Sequence, residues 1–258
     1  MAAQQLLLNV DNVSRVFGGL KAVSDVNMQI QDGELVGLIG PNGAGKTTLF
    51  NLLTGVYEPS GGKIHLSGES VGGLRPYQIT KRGAARTFQN IRLFGDMTVL
   101  ENVMVAYHMH ARHSLFTSIF RLPGHFKGEA EMREKAVEFL KIFNLDGKKD
   151  EIAKNLPYGE QRRLEIARAL AARPKLLLLD EPAAGMNPQE TVDLMNLIRW
   201  IRDEFKITIL LIEHDMGLVM GVCERIYVLD HGQIIASGTP EEIRTNPHVI
   251  EAYLGQEV

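Results

Sequence analysis

The segment that most constrains the fold is a glycine-rich loop standing between an apolar run and a helical pattern. The apolar run, residues 35–39, has the branched side chains of a buried strand, and the helical pattern of residues 47–53 ends before Gly55. In that context backbone N–H groups turn inward around phosphate oxygens, and the start of the helix adds partial positive charge. The loop has the spacing G-x-x-x-x-G-K-[ST] and reads Gly40-Pro41-Asn42-Gly43-Ala44-Gly45-Lys46-Thr47-Thr48.

Two side chains of this loop suit the chemistry of a nucleoside triphosphate. The ammonium of Lys46 would reach the β- and γ-phosphates, and the hydroxyl of Thr47 would be a ligand of Mg²⁺. The alternative is a glycine-rich turn that matches the spacing by chance, and the flanking strand and helix argue against it. The loop therefore predicts a nucleotide site.

The composition is that of an ordinary globular protein. Its 258 residues are 45% hydrophobic and 23% charged, and the net charge of −3 argues against a general nucleic-acid binder. Apolar runs stay short of the ~18 residues that a membrane-spanning helix needs, and the N-terminus lacks the positive region of a signal peptide. Cys223 is the only cysteine, which excludes an intrachain disulfide. We expect a cytosolic protein.

Two further apolar runs end on polar residues that suit phosphoryl transfer. Residues 176–179 lead into Asp180 and Glu181, and residues 207–212 lead towards His214. Because parallel strands bring their carboxyl ends to one edge of a sheet, we expect these residues to meet the phosphate loop there. Asp180 suits Mg²⁺, Glu181 suits a general base or water-orienting group, and His214 suits a hydrogen bond to the γ-phosphate. Taken alone, His214 would be an ordinary loop histidine.

The remaining periodicity predicts strands and helices on both sides of these runs. Strands are predicted at 6–17, 22–30, 63–66, 85–88, 225–230 and 233–237, and helices at 75–81, 98–106, 129–143, 162–172, 188–205, 240–244 and 249–254. Phe17 follows the first strand, where it either stacks on a base or covers the core, and the residue by itself favours the core.

The stretch 107–127 departs from this periodicity. Its histidines, which are His108, His110, His113 and His125, suggest a metal site. However, cysteine and acidic residues are absent from the stretch, and the spacing is unlike that of a structural zinc site. An exposed insertion that faces a partner is the better interpretation.

Taken together, the motifs resemble those of the ATP-binding-cassette (ABC) ATPases over essentially the whole chain. The matching elements are Gly40–Thr48, Gln89 as the Q-loop residue, Leu156-Pro157-Tyr158-Gly159-Glu160 as the signature, Leu176–Glu181 as Walker B, Ala184–Asn187 as the D-loop and His214 as the switch histidine. Their order and spacing are together very specific. The resemblance implies an α/β P-loop NTPase core with a mostly parallel sheet, an antiparallel β subdomain and an inserted α-helical subdomain.

The resemblance also implies domain boundaries and site roles. Residues 1–94 and 173–258 would form the nucleotide-binding core, and residues 95–172 would form a helical lobe that docks on membrane subunits. The cofactors would be ATP and Mg²⁺. Phe17 would stack on adenine, the signature would contact the ATP of an opposing chain, and Gln89 would join Thr47 and Asp180 around Mg²⁺. The catalytic residues would be Lys46, Gln89, Glu181 and His214.

Within the family the chain most resembles the larger ATPase subunit of bacterial branched-chain amino-acid importers. The supporting stretches are Arg86–Phe94, Gln161–Arg168, Glu181–Pro188, Ile212–Met216 and Ala252–Gly255. The resemblance implies a second ATPase subunit, two membrane permease subunits and, indirectly, a periplasmic binding protein, at the cytoplasmic face of the inner membrane. The second ATPase would be a different, shorter chain, although a homodimer stays open. The alternatives are an ATPase of lipid or lipopolysaccharide export and, ranked lower, a soluble ABC protein of translation or DNA repair.

Two positions depart from the family pattern. The usual signature is L-S-G-G-Q, whereas this chain has Pro157 where the serine stands and Tyr158 after it. The D-loop aspartate is replaced by Asn187. Both departures put in question how efficiently ATP is hydrolysed at one of the two sites shared with the opposing chain. Neither disturbs the phosphate loop or Walker B.

Overall fold

The computed structural model describes residues 5–107 and 123–254. Within those ranges, no helix combines the length and the apolar character that crossing a membrane requires. The chain forms two compact units, one of residues 1–86 and 175–258 and the other of residues 87–174. Gln89, which the sequence placed in the nucleotide-binding core, belongs to the second unit.

The first unit contains two β-sheets. The strands are β1 (Leu6–Phe17), β2 (Leu20–Gln31), β3 (Leu35–Ile39), β4 (Gly61–Leu66), β5 (Glu69–Ser70), β6 (Ala84–Arg86), β7 (Leu176–Asp180), β8 (Thr208–Ile212), β9 (Arg225–Asp230) and β10 (Gln233–Gly238). One sheet is antiparallel in the order β2-β1-β4-β5, and the other has the order β10-β9-β3-β8-β7-β6. In the six-stranded sheet only the β10–β9 pair is antiparallel. The predicted mostly parallel sheet with an antiparallel subdomain is confirmed.

Helices connect these strands and make up most of the second unit. They are α1 (Lys46–Leu53), α2 (Pro76–Lys81), α3 (Val99–Tyr107), α4 (Pro123–Ile142), α5 (Tyr158–Ala171), α6 (Pro188–Phe205), α7 (Met216–Val222), α8 (Pro240–Arg244) and α9 (Pro247–Leu254). Of these, α3, α4 and α5 lie in the second unit, where α3 packs against both of the others. Thr98 and Glu101 form a capping box at the start of α3, because each side chain accepts from the other's backbone N–H.

The central strands are buried along their whole length. Every residue of β3, β7 and β8 is buried, which is why these strands read as continuous apolar runs rather than as alternating patterns. Leu38, Leu178 and Leu210 from these strands share a core with Phe50 of α1 and Ile30 of β2. This core fixes the positions of the loops that follow β3, β7 and β8.

Several predicted boundaries differ from the structure by two residues or more. Helix α5 begins at Tyr158 rather than at residue 162, because Pro157 takes the N-cap position with extended backbone angles and Gly159 sits in the first turn. Strand β6 ends at Arg86 rather than at residue 88. Helix α4 begins at residue 123 rather than 129. Of the histidine-rich stretch 107–127, residues 108–122 lie outside the described residues, and only the backbone is described for residues 123–127.

Candidate functional site

Three adjacent parallel strands end at one edge of the six-stranded sheet, as the sequence predicts. Strand β8 pairs in parallel with β3 on one side and with β7 on the other. The phosphate loop follows β3, Asp180 ends β7 with Glu181 directly after it, and Glu213 and His214 follow β8. Carboxyl ends of neighbouring parallel strands are where α/β sheets bind ligands.

The phosphate loop requires glycine at two of its close approaches. A Cβ atom on Gly40 would lie 1.9 Å from the carbonyl oxygen of Leu229, and one on Gly45 would lie 2.5 Å from that of Ala22. Gly45 also has a φ of 104°, a conformation that L side chains rarely adopt. The loop backbone is therefore shaped by its packing against β9 and against β2.

The Lys46 side chain folds back onto this loop. Its Nζ atom donates to the carbonyl oxygen of Gly40 at 2.5 Å and to that of Pro41 at 2.9 Å. Burial lowers the pKa of Lys46, and the charges of Glu181 and Asp180 oppose that shift. The ammonium therefore interacts electrostatically with both acids at the carboxyl end of β7, Asp180 and Glu181.

The N-terminus of α1 presents backbone N–H groups beside the loop. Among the described residues, no side chain caps this end at Gly45. Thr47 is exposed in the first turn. An uncapped N-terminus with its partial positive charge is suited to an anion such as a phosphate group.

Asp180 forms a buried ion pair that the sequence did not predict. Its Oδ2 atom lies 2.5 Å from Nη2 of Arg86, and the two side chains are 5% and 7% exposed. The other terminal nitrogen of Arg86 donates to Asn51 at 2.7 Å and to Thr54 at 3.2 Å, both at the end of α1. Arg86 therefore connects Walker B Asp180 to the helix that follows the phosphate loop.

Glu181 has a backbone conformation that is uncommon for a residue with a side chain. Its φ is 46°, in the left-handed region, and its N–H donates to the carbonyl oxygen of Ile212 at 2.9 Å. The Oε2 atom lies 3.7 Å from Nδ1 of His214, whose side chain is 63% exposed. Such strain is typical of functional sites, and here it brings the glutamate beside the histidine.

Glu213 is a second residue that the sequence did not single out. Its side chain is buried, and its carboxylate accepts from the N–H of Ala183 at 2.8 Å and from the N–H of His214 at 3.2 Å. Burial raises the pKa of Glu213, and the backbone N–H donors oppose that shift. The carboxylate holds Ala183, the residue before the D-loop, against the loop that carries His214. The sequence did carry a signal for Glu213, because it is an acidic residue directly after the buried strand β8.

Phe17 lies at the end of β1 with its side chain 36% exposed, so its interpretation as a core residue is wrong. The guanidinium of Arg15 lies 4.5 Å from the ring centroid, and the ring of Tyr57 meets it edge-on at 5.1 Å. The exposed ring is available to stack on another planar group.

Gln89 and the signature segment lie in the second unit. Gln89 is exposed, and its carbonyl oxygen accepts from Arg162 at 2.7 Å. Tyr158 is 45% exposed, and Glu160 forms an ion pair with Lys148 at 2.7 Å. Leu156 is buried, and its carbonyl oxygen accepts from Gln161 at 2.8 Å.

Asn187 of the D-loop is the N-cap of α6. Its Oδ1 atom accepts from the N–H of Glu190 at 3.0 Å, and the Glu190 carboxylate accepts from the N–H of Asn187 at 2.9 Å. Asparagine and aspartate are about equally good N-caps. The departure at this position therefore leaves the capping of α6 intact.

The fold and this edge define a nucleoside-triphosphate-binding cassette of the P-loop class. A family model described as "ABC transporter" matches residues 23–184, and one described as "Branched-chain amino acid ATP-binding cassette transporter" matches residues 233–258. The chain belongs to the ABC transporter ATP-binding family, and it is the ATP-binding, ATP-hydrolysing subunit of such a transporter.

Individual relatives agree with this assignment over nearly the full length. The high-affinity branched-chain amino acid transport ATP-binding protein BraF of Pseudomonas aeruginosa is 50% identical over 250 residues, covering 97% of this chain and 98% of that protein. The lipopolysaccharide export system ATP-binding protein LptB of Haemophilus influenzae is 37% identical over 251 residues, covering 97% and 98%. The crystal structure of the ADP conformation of MJ1267, an ATP-binding cassette of an ABC transporter, has a TM-score of 0.83 at 31% identity, covering 97% and 99%.

Proposed function

We propose that this chain hydrolyses MgATP to power the import of branched-chain amino acids. The observation that carries the ATPase part is the edge formed by β3, β8 and β7, where the phosphate loop, the two acids and His214 follow adjacent strands. The transported substrate rests on the C-terminal match over residues 233–258 and on the 50% identity to BraF.

ATP would bind with its phosphates in the loop of residues 40–48. The uncapped N-terminus of α1 would face them, and Lys46 would exchange its bonds to loop carbonyls for bonds to the β- and γ-phosphates. The exposed ring of Phe17 would stack on the adenine.

A magnesium ion fits the donor groups of this edge. Mg²⁺ prefers oxygen ligands and is usually held by one or two protein groups together with phosphates, so it does not need a dense cluster of acids. The described residues contain no group of three or more potential acidic, histidine or cysteine ligands, which agrees with that mode. Thr47 and Asp180 would hold the ion from this edge, and Gln89 is proposed as a further ligand. When bound, it would neutralise charge on the phosphate oxygens.

Hydrolysis would use Glu181 and His214, which the left-handed backbone conformation of Glu181 brings together. Glu181 would orient or deprotonate the attacking water, and His214, 3.7 Å from it, would donate to the γ-phosphate. Lys46 and Gln89 would complete the catalytic set. Because this chain has one phosphate loop, two ATPase chains would enclose two nucleotides, each completed by the signature, residues 156–160, of the opposing chain.

The proposed assembly has two ATPase subunits and two membrane permeases, with a periplasmic binding protein acting indirectly. The second ATPase is proposed to be a different chain, and the place of assembly is the cytoplasmic face of the inner membrane. The 37% identity to LptB supports lipopolysaccharide export as a second candidate. The C-terminal family match favours import over export.

The test is transport by the purified complex. The chain would be isolated with the membrane proteins that bind it and reconstituted into vesicles, and uptake of labelled leucine, isoleucine and valine would be compared with that of glutamate and lysine. We expect ATP-dependent uptake of the branched-chain amino acids alone, and its loss in Glu181→Gln. A complex that hydrolyses ATP and extracts lipopolysaccharide without amino-acid uptake would favour the export candidate.

A further inference from the structure

A buried arginine in the second unit binds the backbone on both sides of the bond between Phe88 and Gln89. Arg162 lies one turn after the start of α5 and is fully buried. Its Nη1 atom donates to the carbonyl oxygen of Phe88 at 2.6 Å, and its Nη2 atom donates to that of Gln89 at 2.7 Å. Nη2 also donates to the hydroxyl of Tyr158 at 3.1 Å, and Nη1 forms an ion pair with Glu165 at 2.9 Å.

Glu165 adds a further contact to the same loop. Its side chain is 1% exposed, and its Oε1 atom accepts from the N–H of Arg92 at 3.0 Å while Oε2 binds Arg162. Two carbonyl groups and one N–H of residues 88–92 are thus held by two side chains that lie three positions apart on one helix. These contacts hold the segment through its backbone atoms and not through its side chains.

A buried ion pair is a poor device for stability alone. Removing two charges from water is costly, and apolar residues of similar volume often stabilise a protein as well or better. The guanidinium group instead fixes the orientation of the loop, because its planar, rigid set of donors binds two consecutive backbone carbonyls. The geometry is suited to holding one loop at a defined place on α5.

We infer that Arg162 and Glu165 are positioning residues that hold the loop of Gln89 at a fixed place relative to the signature end of α5. Because Arg162 binds both the Gln89 carbonyl and Tyr158, a displacement of the loop is transmitted to the first turn of α5, and the reverse also holds. The inference rests on the proposed role of Gln89 in hydrolysis, and it adds residues that touch neither nucleotide nor metal.

The test is a double-mutant cycle in the assembled transporter, with ATP affinity and kcat measured separately. Arg162→Lys keeps the charge beside Glu165 but loses the fork. Since a small misplacement of a catalytic group costs up to about a hundred-fold, we expect kcat to fall about ten- to a hundred-fold while ATP affinity changes by less than about two-fold. We expect Gln89→Ala to lower kcat similarly and the double variant to be no slower than the slower single variant, because both changes remove the same contribution.

Arg133→Lys is the matched control, because Arg133 belongs to the same unit and pairs with Asp150 at 3.7 Å through exposed side chains. It should leave kcat unchanged. If Arg162→Lys does not fold, the pair Arg162→Met with Glu165→Leu removes both charges at similar volume and should show the same loss of kcat.

The outcomes separate this inference from the proposed function. The positioning role would be overturned if the fold losses in kcat of the two single variants multiplied in the double variant. It would also be overturned if turnover were normal both in Arg162→Lys and in Arg162→Met with Glu165→Leu. Either outcome would leave the ATPase assignment intact. Normal turnover in Gln89→Ala would overturn both the proposed role of Gln89 and the positioning inference. A wild-type complex without ATPase activity would contradict the proposed function itself.

Discussion

The guanidinium of Arg86 lies 2.5 Å from the carboxylate of Asp180, and both side chains are more than nine-tenths buried. The two residues end neighbouring parallel strands, β6 and β7, and are 94 positions apart in the chain. Because Arg86 also binds Asn51 and Thr54, it places the Walker B acid relative to the end of α1.

We therefore expect Arg86→Met to destabilise the protein strongly. The change leaves the Asp180 charge buried without its guanidinium, and breaking a buried pair in this way costs about 3–5 kcal/mol. The free energy of unfolding, measured with denaturant, checks this. Arg82→Met is the control, because Arg82 pairs with Glu69 at 3.0 Å through partly exposed side chains, and such pairs contribute about 0–1 kcal/mol. Equal losses in the two variants would show that the Arg86–Asp180 pair has no special weight.

Turnover should depend on Glu181. We expect Glu181→Gln to bind MgATP, to trap the ATP-bound dimer and to lose turnover by about 10²–10⁴-fold, the range for a group that moves a proton or orients water. Steady-state ATPase and nucleotide affinity are the measurements. Glu204→Gln, an exposed change of the same chemistry on α6, should have no effect. Near-normal ATPase activity in Glu181→Gln would contradict the assignment.

The buried carboxyl of Glu213 should make stability depend on pH. Burial raises its pKa above the ordinary value of 4.5, so the folded state binds more protons than the unfolded state between 4.5 and the raised pKa. The free energy of unfolding should therefore fall as the pH rises through that window. Glu213→Gln keeps an acceptor for Ala183 but cannot ionise, so its stability relative to the wild type should increase with pH. Unfolding curves at a series of pH values test this, and a constant difference would contradict it.

The sequence predicted the strands that carry the site better than the contacts between them. Strands β3, β7 and β8 are buried on both faces, so they appear as short apolar runs that end abruptly on polar residues. That Asp180, Glu181 and His214 follow adjacent parallel strands could be predicted from those run ends. The strand order in the sheet is a long-range property, and it alone places Arg86 beside Asp180.

Two other misses have local causes. Gly159 and Pro157 suggested a loop, yet proline is well suited to a helix start and the first turn needs no internal N–H bonds, so α5 begins at Tyr158. The residue type of Phe17 favoured the core, whereas the family resemblance implied stacking on adenine; its exposure depends on where β1 ends relative to Tyr57. Neither feature is encoded in the periodicity of its own segment.

Docking on the membrane subunits should depend on the apolar residues after Gln89. Phe94 is 47% exposed, and Leu93 is partly exposed, so ordinary core packing does not account for Phe94. We expect Leu93→Asp with Phe94→Asp to keep ATP binding and to lose association with the permeases, because two charges would enter an apolar contact. Co-purification measures this. Val192→Asp, at an apolar residue that is 49% exposed on α6, is the control and should still associate with the permeases. If the double variant also assembled, the docking site would lie elsewhere.

The signature predicts unequal sites in the proposed heterodimer. Pro157 has neither a hydroxyl nor an N–H, so this chain offers fewer donors to the γ-phosphate on its partner. A lost hydrogen bond to a charged group costs about 1.5–3 kcal/mol, or about ten- to a hundred-fold in rate. The main objection is Tyr158, whose hydroxyl could replace the serine. In the structure that hydroxyl accepts from the buried Arg162 at 3.1 Å, although its own proton is left to donate.

If the partner carries a serine in its signature, the site built on this chain's Lys46 and Glu181 is the faster of the two. Glu181→Gln should then remove most of the ATPase activity of the heterodimer, while the matching glutamine change in the partner should remove much less. Tyr158→Phe separates the two explanations, because it should slow the partner's site only if Tyr158 supplies the missing donor; an effect through Arg162 would instead slow this chain's own site. Steady-state ATPase rates of the three variant heterodimers are the measurement. Equal losses from the two glutamine changes would show that Pro157 has no such consequence, and they would point to Tyr158 if Tyr158→Phe then slowed only the partner's site.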